Sequence, residues 1–194
     1  MNLDLLIVAL YSYFLGSIPF GLILTKIFLK KDIRKVGSGN IGTTNVLRTG
    51  SKLLAIATLI FDLLKGYVSV YVTLSYYESL TSYSALICII GHIFPIWLKF
   101  KGGKGVATYV GILFSLNIIF GLVFGICWLI IFFISKYSSL ASLIGSLSIP
   151  VYILIMEGSE NVFFYVIMFI LIFFTHRENI KRLKNKEETK TKIY

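Results

Sequence analysis

Long apolar runs separated by short polar segments constrain this chain more than any other feature of its sequence. They lie at 3–28, 53–76, 84–98, 108–135, 137–156 and 161–175. The first two are long enough to cross about 30 Å of hydrocarbon as single α-helices. Only 14% of the residues are charged, against about a quarter in soluble domains. The sequence therefore predicts an all-α polytopic membrane protein that forms a single domain over residues 1–194.

The distribution of charged residues predicts how the chain is oriented. Apart from Lys65, the basic residues fall in four places: 26–52, 99–104, 136 and 177–192. The segments without basic residues contain Asp4, Glu78, Glu157 and Glu160. Because cytoplasmic loops accumulate Lys and Arg, we expect the N-terminus outside and a basic C-terminal tail, at about 177–194, in the cytoplasm. The same rule accounts for the net charge of +10, so nucleic acid is not predicted as a partner.

The number of crossings depends on the run at 108–135. As one helix its 28 residues would be about 42 Å long, and a single crossing would place Lys136 and the basic tail outside. A break near 117–121 gives two short spans, with Asn117 outside, and seven crossings in all. The alternative is a re-entrant hairpin at 137–156. We predict about seven transmembrane helices.

The polar segment at 37–50 (GSGNIGTTNVLRTG) combines four glycines, two asparagines and four hydroxyl residues with one charged residue, Arg48. It contains GxGxxG, but a dinucleotide site needs a strand before this motif, and here the motif lies between two membrane spans. Glycines still allow backbone N–H groups to approach phosphate oxygens, and Arg48 can donate two hydrogen bonds at once. The alternative is a flexible polar loop. We predict a phosphate site formed by Gly37, Ser38, Gly39, Asn40, Gly42, Thr43, Asn45 and Arg48.

A second glycine-rich segment, at 99–108 (KFKGGKGVAT), is basic and leads into the fourth apolar run. Since a helix N-terminus favours an anion, we predict that this segment opens a helix and binds phosphate. Lys104, flanked by glycines, is the predicted point charge, whereas Lys99 and Lys101 are typical of lysines that snorkel to the interface. The glycines predicted to line the same site are Gly102, Gly103 and Gly105.

Polar residues inside apolar runs are costly and ordinarily pair with one another. Asp62 and Lys65 stand one helical turn apart, which favours a structural ion pair; the alternative aims Lys65 at the pocket. His92 is predicted to be packed and hydrogen-bonded, with a general base as the alternative. Cys88 and Cys127 are predicted to be packing residues.

The remaining polar residues lie late in the chain, where Ser139 and Ser142 could add hydrogen-bond donors for an anion and 184–192 has the composition of a basic lipid-surface segment. The sequence contains no G-x-S-x-G, no H-E-x-x-H and no cluster of metal ligands. An enzyme built from these residues would therefore work by positioning two anions and neutralising charge.

Taken together, these motifs resemble the bacterial membrane glycerol-3-phosphate acyltransferase family that uses acyl phosphate as its donor. The resemblance covers nearly the whole chain, and its motifs occur in the family's order at 16–21 (GSIPFG), 37–50, 62–66, 91–108, 139–142 and 176–183. The sequence departs from the family at Ile41, where Pro is common, at Thr43, where Ala is common, and at Lys186, where Gly is frequent.

The resemblance implies a seven-helix bundle that transfers a fatty acyl group from acyl phosphate to the 1-hydroxyl of glycerol 3-phosphate. The products would be 1-acyl-glycerol 3-phosphate and phosphate, with no cofactor or metal. Carried over by position, the catalytic residues would be Ser38, Arg48 and Lys104, and further phosphate contacts would come from Ser142, His176 and Asn179.

The resemblance also predicts where the protein works and what it meets. It implies a multi-pass protein of the bacterial inner membrane whose active site faces the cytoplasm. Membrane lipid and the enzyme that supplies acyl phosphate are the corresponding partners.

Two other classes of protein use similar residues. A small transporter or channel for phosphate-bearing anions could use the basic glycine segments as a gate, but such proteins commonly have internal repeats, which we do not find in this sequence. A lipid phosphotransferase would need paired acidic residues for Mg²⁺, which these segments lack.

Overall fold

The computed structural model describes residues 3–159 and 162–191, and its regular structure there is helical throughout, as the apolar runs predict. Glu160 and the last three residues of the predicted tail lie outside the described residues. The chain divides into two compact units, Met1–Leu116 and Asn117–Tyr194, so the boundary falls within the apolar run at 108–135. The prediction of a single domain stays a prediction.

The first unit contains α1 (Leu3–Ser17), α2 (Phe20–Leu29), α3 (Thr43–Leu47), α4 (Lys52–Tyr76), α5 (Thr81–Ile93) and α6 (Val106–Leu116). Short 3-10 turns lie at Ile33–Lys35, Glu78–Leu80 and Ile96–Leu98. The second unit contains α7 (Ile118–Ser135), α8 (Ser138–Met156), α9 (Val162–Thr175) and α10 (Arg177–Lys184).

The first apolar run, predicted as one continuous span, is broken between α1 and α2. Pro19 has no N–H to donate, and α1 ends at Ser17. In hydrocarbon the carbonyls at such a break need partners from the protein. Trp97 Nε1 donates to the Ser17 carbonyl at 3.0 Å, and Lys65 Nζ donates to the Ile18 carbonyl at 2.8 Å. The break is therefore held by side chains from elsewhere in the first unit.

Helices α4 and α5 form an antiparallel hairpin. Ser69 Oγ lies 3.1 Å from Ser84 Oγ, and farther along the pair the Cys88 Sγ lies 3.9 Å from the Lys65 carbonyl. Ser12 of α1 joins the same seam, with its Oγ 2.8 Å from Ser84 Oγ. Because the helices are antiparallel, the segments before α4 and after α5 lie at the same end of the hairpin.

Glycines let the helices of the first unit approach one another closely. A Cβ added to Gly111 in α6 would lie 1.9 Å from the Leu63 carbonyl oxygen in α4. A Cβ added to Gly16 in α1 would lie 2.0 Å from the Cys88 carbonyl oxygen in α5. Small residues at such crossings are typical of helix packing in membranes, where dispersion forces rather than water exclusion hold helices together.

The break predicted near 117–121 is confirmed. α6 ends at Leu116, and Asn117 caps α7 by accepting a hydrogen bond from the Ile119 N–H at 2.9 Å. α8 is one helix from Ser138 to Met156, so the alternative of a re-entrant hairpin at 137–156 is wrong.

The described residues contain five segments long and apolar enough to cross a membrane, or six if α9 and α10, bent by 63°, count as one span. α6, with 11 residues, is a shorter apolar helix. The protein is therefore a multi-pass membrane protein, and the count of seven stays a prediction.

In the second unit, the tail after α10 folds back onto the turn between α7 and α8. The Thr191 N–H donates to the Lys136 carbonyl at 2.9 Å. The Glu188 carboxylate accepts hydrogen bonds from Ser139 Oγ (2.8 Å), Asn179 Nδ2 (2.6 Å) and Arg182 Nε (2.7 Å). Burial by itself would raise the pKa of Glu188, but the hydrogen bonds from Arg182, Asn179 and Ser139 outweigh it and hold the pKa below its usual value.

We expect Gly111→Ala to destabilise the protein, because the new methyl group meets the α4 backbone. Overpacking of this kind costs about 1–3 kcal/mol, although Ala favours a helix over Gly by about 1 kcal/mol. The melting temperature in detergent measures the change. Gly125→Ala is the control, since an added Cβ there has no neighbour within 4 Å. Equal melting temperatures for the two variants would contradict the close approach of α4 and α6.

We expect Glu188→Gln to lower the melting temperature at neutral pH, because charge-assisted hydrogen bonds contribute about 1.5–3 kcal/mol. Since the folded-state pKa is depressed, this stabilisation is complete above the ordinary value of 4.5 and is lost as the pH falls through the lowered value. The difference between wild type and variant should therefore shrink in acid. Glu187→Gln, at an exposed neighbour, should melt like the wild type at every pH. A pH-independent difference at Glu188 would contradict this origin.

Candidate active site

The segment 37–50 rests on a hydrophobic cluster that gives it a fixed shape. The buried members of this cluster are Leu22, Ile33, Ile41, Val46, Leu54 and Ala55. Ile41 and Val46 belong to the segment itself, and their burial anchors the segment to the cluster. Leu98, which ends the short turn before the second glycine segment, packs against the same cluster. The alternative of a flexible polar loop therefore does not describe this segment.

Asn45 holds the segment together from inside. Its Oδ1 accepts a hydrogen bond from the Ser38 N–H at 3.0 Å. Its Nδ2 donates to three backbone carbonyls, those of Ile33 (3.1 Å), Val36 (2.9 Å) and Asn40 (2.8 Å). The side chain is 2% exposed. Asn45 was predicted as a phosphate contact, and in this structure its amide shapes the segment.

Ser38 and Arg48 are exposed on this segment, and both lie beside Gly37. Gly37 has a φ of +55°, and a Cβ there would lie 2.9 Å from Arg48 Cδ, so only glycine lets the arginine lie against the turn. The N–H of Gly39 donates to the Val36 carbonyl at 3.0 Å. The N–H of Gly42 donates to Asn40 Oδ1 at 2.9 Å. These glycine N–H groups hold the turn itself.

Thr43 begins α3 and is half-buried. Within the residues that the structure describes, its hydroxyl oxygen is buried and has no hydrogen-bond partner. A buried hydroxyl without a partner is uncommon, since such groups normally make at least one hydrogen bond.

A nearby arginine is already engaged. Arg34 Nη2 lies 2.6 Å from Asp32 Oδ2, and Arg34 Nε donates to Asp32 Oδ1 at 2.9 Å. The hydrogen bond from Arg34 holds the pKa of Asp32 well below its usual value, and the carboxylate raises the pKa of Arg34. Arg48 is therefore better suited than Arg34 to meet an anion.

The second glycine segment folds back along the end of α5. The Gly102 N–H donates to the Ile93 carbonyl at 2.9 Å, and the Gly103 N–H donates to the His92 carbonyl at 3.1 Å. These bonds satisfy carbonyls at the helix end that have no partner within α5. A Cβ at Gly102 would lie 2.1 Å from the His92 carbonyl oxygen, so the glycines are needed for the approach. Their N–H groups fix the segment rather than face outward.

Lys104 follows this anchored pair and precedes Gly105, whose φ of +83° turns the chain into α6 at Val106. The prediction that this segment opens a helix is confirmed. Lys104 is half-buried, whereas Lys99 and Lys101 are exposed. Lys104 thus differs from its neighbours in having a side chain held partly within the protein.

The buried polar residues of α4 and α5 pair as predicted. Lys65 Nζ lies 2.7 Å from Asp62 Oδ1, and both side chains are almost fully buried, which confirms the structural ion pair. His92 Nδ1 lies 3.2 Å from Thr108 Oγ1 in a hydrogen bond, and the ring is 4% exposed. His92 is therefore the packed, hydrogen-bonded residue that the sequence predicts.

The second unit contains the other predicted contacts, all of them buried: Ser142, His176 and Asn179. Ser142 Oγ donates to the Ser138 carbonyl at 2.8 Å and accepts from Trp128 Nε1 at 3.1 Å. His176 Nδ1 donates to the Ile172 carbonyl at 2.8 Å. Asn179 is held by Glu188. Sequence reasoning missed Glu188, although a carboxylate within a basic tail is a signal for a specific partner.

Comparison with known proteins points to one activity. The family model described as "Glycerol-3-phosphate acyltransferase" matches residues 6–186. A glycerol-3-phosphate acyltransferase of Pelagibacter ubique (strain HTCC1062) is 64% identical over 99% of this chain and 100% of its own length. That of Brucella anthropi is 47% identical over 98% of this chain and 94% of its own length.

Solved structures agree with these matches. The crystal structure of PlsY (YgiH), an integral membrane glycerol 3-phosphate acyltransferase, in its glycerol 3-phosphate form superposes with a TM-score of 0.91 at 34% identity. The match covers 96% of this chain and 95% of that one. Its lysophosphatidic acid form superposes with a TM-score of 0.88 at 33% identity. The helices, the anchored glycine segments and these relatives lead to one conclusion, that the chain belongs to the glycerol-3-phosphate acyltransferase family.

Proposed function

We propose that the protein transfers a fatty acyl group from acyl phosphate to the 1-hydroxyl of glycerol 3-phosphate, giving 1-acyl-glycerol 3-phosphate and inorganic phosphate. Family membership supports the acceptor, and the related structures are described as forms with glycerol 3-phosphate and with lysophosphatidic acid. One observation supports a donor that carries a phosphate group. Two rigid segments, each bearing a cation, lie at the same end of the α4–α5 hairpin, which suits two phosphate-bearing substrates.

The reaction needs little from the protein besides position and charge. The 1-hydroxyl oxygen attacks the carbonyl carbon of acyl phosphate, a C–O ester bond forms, and the bond from that carbon to the phosphate oxygen breaks. Phosphate is already a good leaving group, and it takes the proton that the hydroxyl loses. Negative charge grows on the carbonyl oxygen and on the departing phosphate, so cations held beside them lower the barrier.

We assign Ser38, Arg48 and Lys104 to this catalytic work. Arg48, braced against Gly37, can present its planar guanidinium to two oxygens of one phosphate. Lys104, half-buried beyond an anchored backbone, acts as a point charge. Ser38 and the Thr43 hydroxyl add donors. In the second unit taken by itself, we propose that Ser142, His176 and Asn179 contact phosphate oxygens.

The geometry of the histidines supports proton transfer to the leaving phosphate. The side chains of His92 and His176 are only 4% and 2% exposed. In each ring Nδ1 is already engaged, by Thr108 in one case and by the Ile172 carbonyl in the other. A general base needs to reach the proton it removes, and both rings are buried.

We also propose that the active site faces the cytoplasm from the bacterial inner membrane. The basic residues at 26–52 and 99–104 flank the glycine segments, which fits the side on which Lys and Arg accumulate. Glycerol 3-phosphate is a soluble anion, and the enzyme that supplies acyl phosphate is a candidate partner on the same side.

We expect purified protein in detergent to release inorganic phosphate when palmitoyl phosphate and glycerol 3-phosphate are both present. Lys104→Ala should lower kcat/KM by about 100–1,000-fold, the usual effect of removing one group that stabilises developing charge. Phosphate release and acyl-glycerol phosphate formation are measured together, at equal yields.

The matched control is Lys101→Ala, in an exposed neighbour on the same segment, which should retain nearly full activity. Replacing acyl phosphate by acyl-CoA or acyl carrier protein tests the donor. Turnover with either of these, and none with acyl phosphate, would overturn the proposed donor while leaving the acyltransferase family intact.

We expect a phosphatase reporter that is active only outside the cytoplasm to be active when fused at Asn117 and inactive when fused at Lys136. This outcome follows if α6 crosses the membrane and α7 returns, as the distribution of basic residues requires. An inactive fusion at Asn117 would contradict the crossing by α6 and the count of seven.

A further inference from the structure

His92 contacts the segment that carries Lys104 through its backbone and through its ring. The ring also forms a hydrogen bond to Thr108, which follows that segment in α6. The His92 carbonyl accepts the Gly103 N–H at 3.1 Å. Its ring lies directly against Gly103, since a Cβ added there would be 2.2 Å from Nε2. Its Nδ1 is hydrogen-bonded to Thr108 Oγ1 at 3.2 Å, on the far side of the segment. The ring thus fills the space beneath the residue that precedes Lys104.

The hydrogen bond between His92 and Thr108 connects the two ends of the glycine segment. His92 lies in the last turn of α5, and Thr108 lies in the first turn of α6, so the bond joins the two helices between which the segment runs. Thr108 is fully buried. The backbone of Thr108 packs closely against Gly66 of α4, since a Cβ at Gly66 would lie 2.2 Å from the Thr108 carbonyl oxygen.

The Nδ1 edge of the His92 ring, which bonds Thr108, also faces the buried ion pair. Asp62 Oδ1 lies 3.9 Å from His92 Nδ1 and 2.7 Å from Lys65 Nζ. The ring is therefore enclosed by α4, by α6 and by the glycine segment. A side chain this confined cannot move to a substrate, but it can determine where the backbone of Gly103 lies.

We infer that His92 and Thr108 are positioning residues for Lys104. The inference rests on the proposed function, in which the Lys104 ammonium meets phosphate. A lysine side chain is long and flexible, and the glycines on both sides of Lys104 can adopt many backbone conformations. The His92 ring and its bond to Thr108 fix the position of Gly103, so the ammonium is held where the departing phosphate develops charge.

The test is a cycle of variants measured by kcat/KM for acyl transfer. Thr108→Val keeps the shape and removes the hydrogen bond, and it should lower kcat/KM by about 10–100-fold, the effect of a misplacement of about 1 Å. Thr108→Ser keeps the hydroxyl and should restore most of the activity. In the Lys104→Ala background, Thr108→Val should cause little further loss, because the group that it positions is gone.

Ser115→Ala is the matched control for loss of a buried hydroxyl from α6. Within the described part of the chain, the Ser115 hydroxyl has no hydrogen-bond partner, so this variant should keep full activity. Melting temperatures in detergent identify any variant that is not folded. His92→Asn, which retains an amide near the position of Nδ1, should be more active than His92→Ala and serves as the second route if Thr108→Val does not fold.

Three outcomes would overturn the inference. An equal loss from Thr108→Val with and without Lys104 would make the residue merely structural. A pH profile of kcat that loses its acid limb in His92→Asn but not in Thr108→Val would make His92 the general base. Full activity of Lys104→Ala would overturn the proposed role of Lys104 itself, and with it the need to position that residue.

Discussion

The first unit is organised around an ion pair in a region that water does not reach. A charge in hydrocarbon is costly, and it persists only where a partner of opposite sign and further hydrogen bonds surround it. Lys65 has both, in Asp62 and the Ile18 carbonyl. The pair contacts the break in the first span on one side and His92 on the other. It therefore links three helices next to the glycine segments.

The glycine segments themselves are held in a fixed shape by hydrogen bonds rather than by ion pairs. In one segment the Asn45 amide replaces the hydrogen bonds of regular structure, and in the other the end of α5 does so. Glycine is required where one backbone lies against another. The fixed shape of these segments therefore depends on residues that have no side chain.

Much of this could be predicted from the sequence, because membrane solvation leaves few choices. The apolar runs predicted the helices, and the break at Asn117 followed from the distribution of Lys and Arg. Spacing alone predicted the pair of Asp62 and Lys65, since both lie on one helix. The contacts that could not be predicted join distant parts of the chain, such as Lys65 with Ile18, Trp128 with Ser142 and Glu188 with Ser139. Periodicity carries no information on which helix faces which.

The break at Pro19 has a consequence for how the protein is made. Lys65, which donates to the Ile18 carbonyl, stands 47 residues later in the chain and on the next apolar segment. Until α4 packs beside the first span, that carbonyl has no ammonium to accept from, and an unsatisfied carbonyl is costly in hydrocarbon. The first span therefore depends on the second for its complete hydrogen bonding.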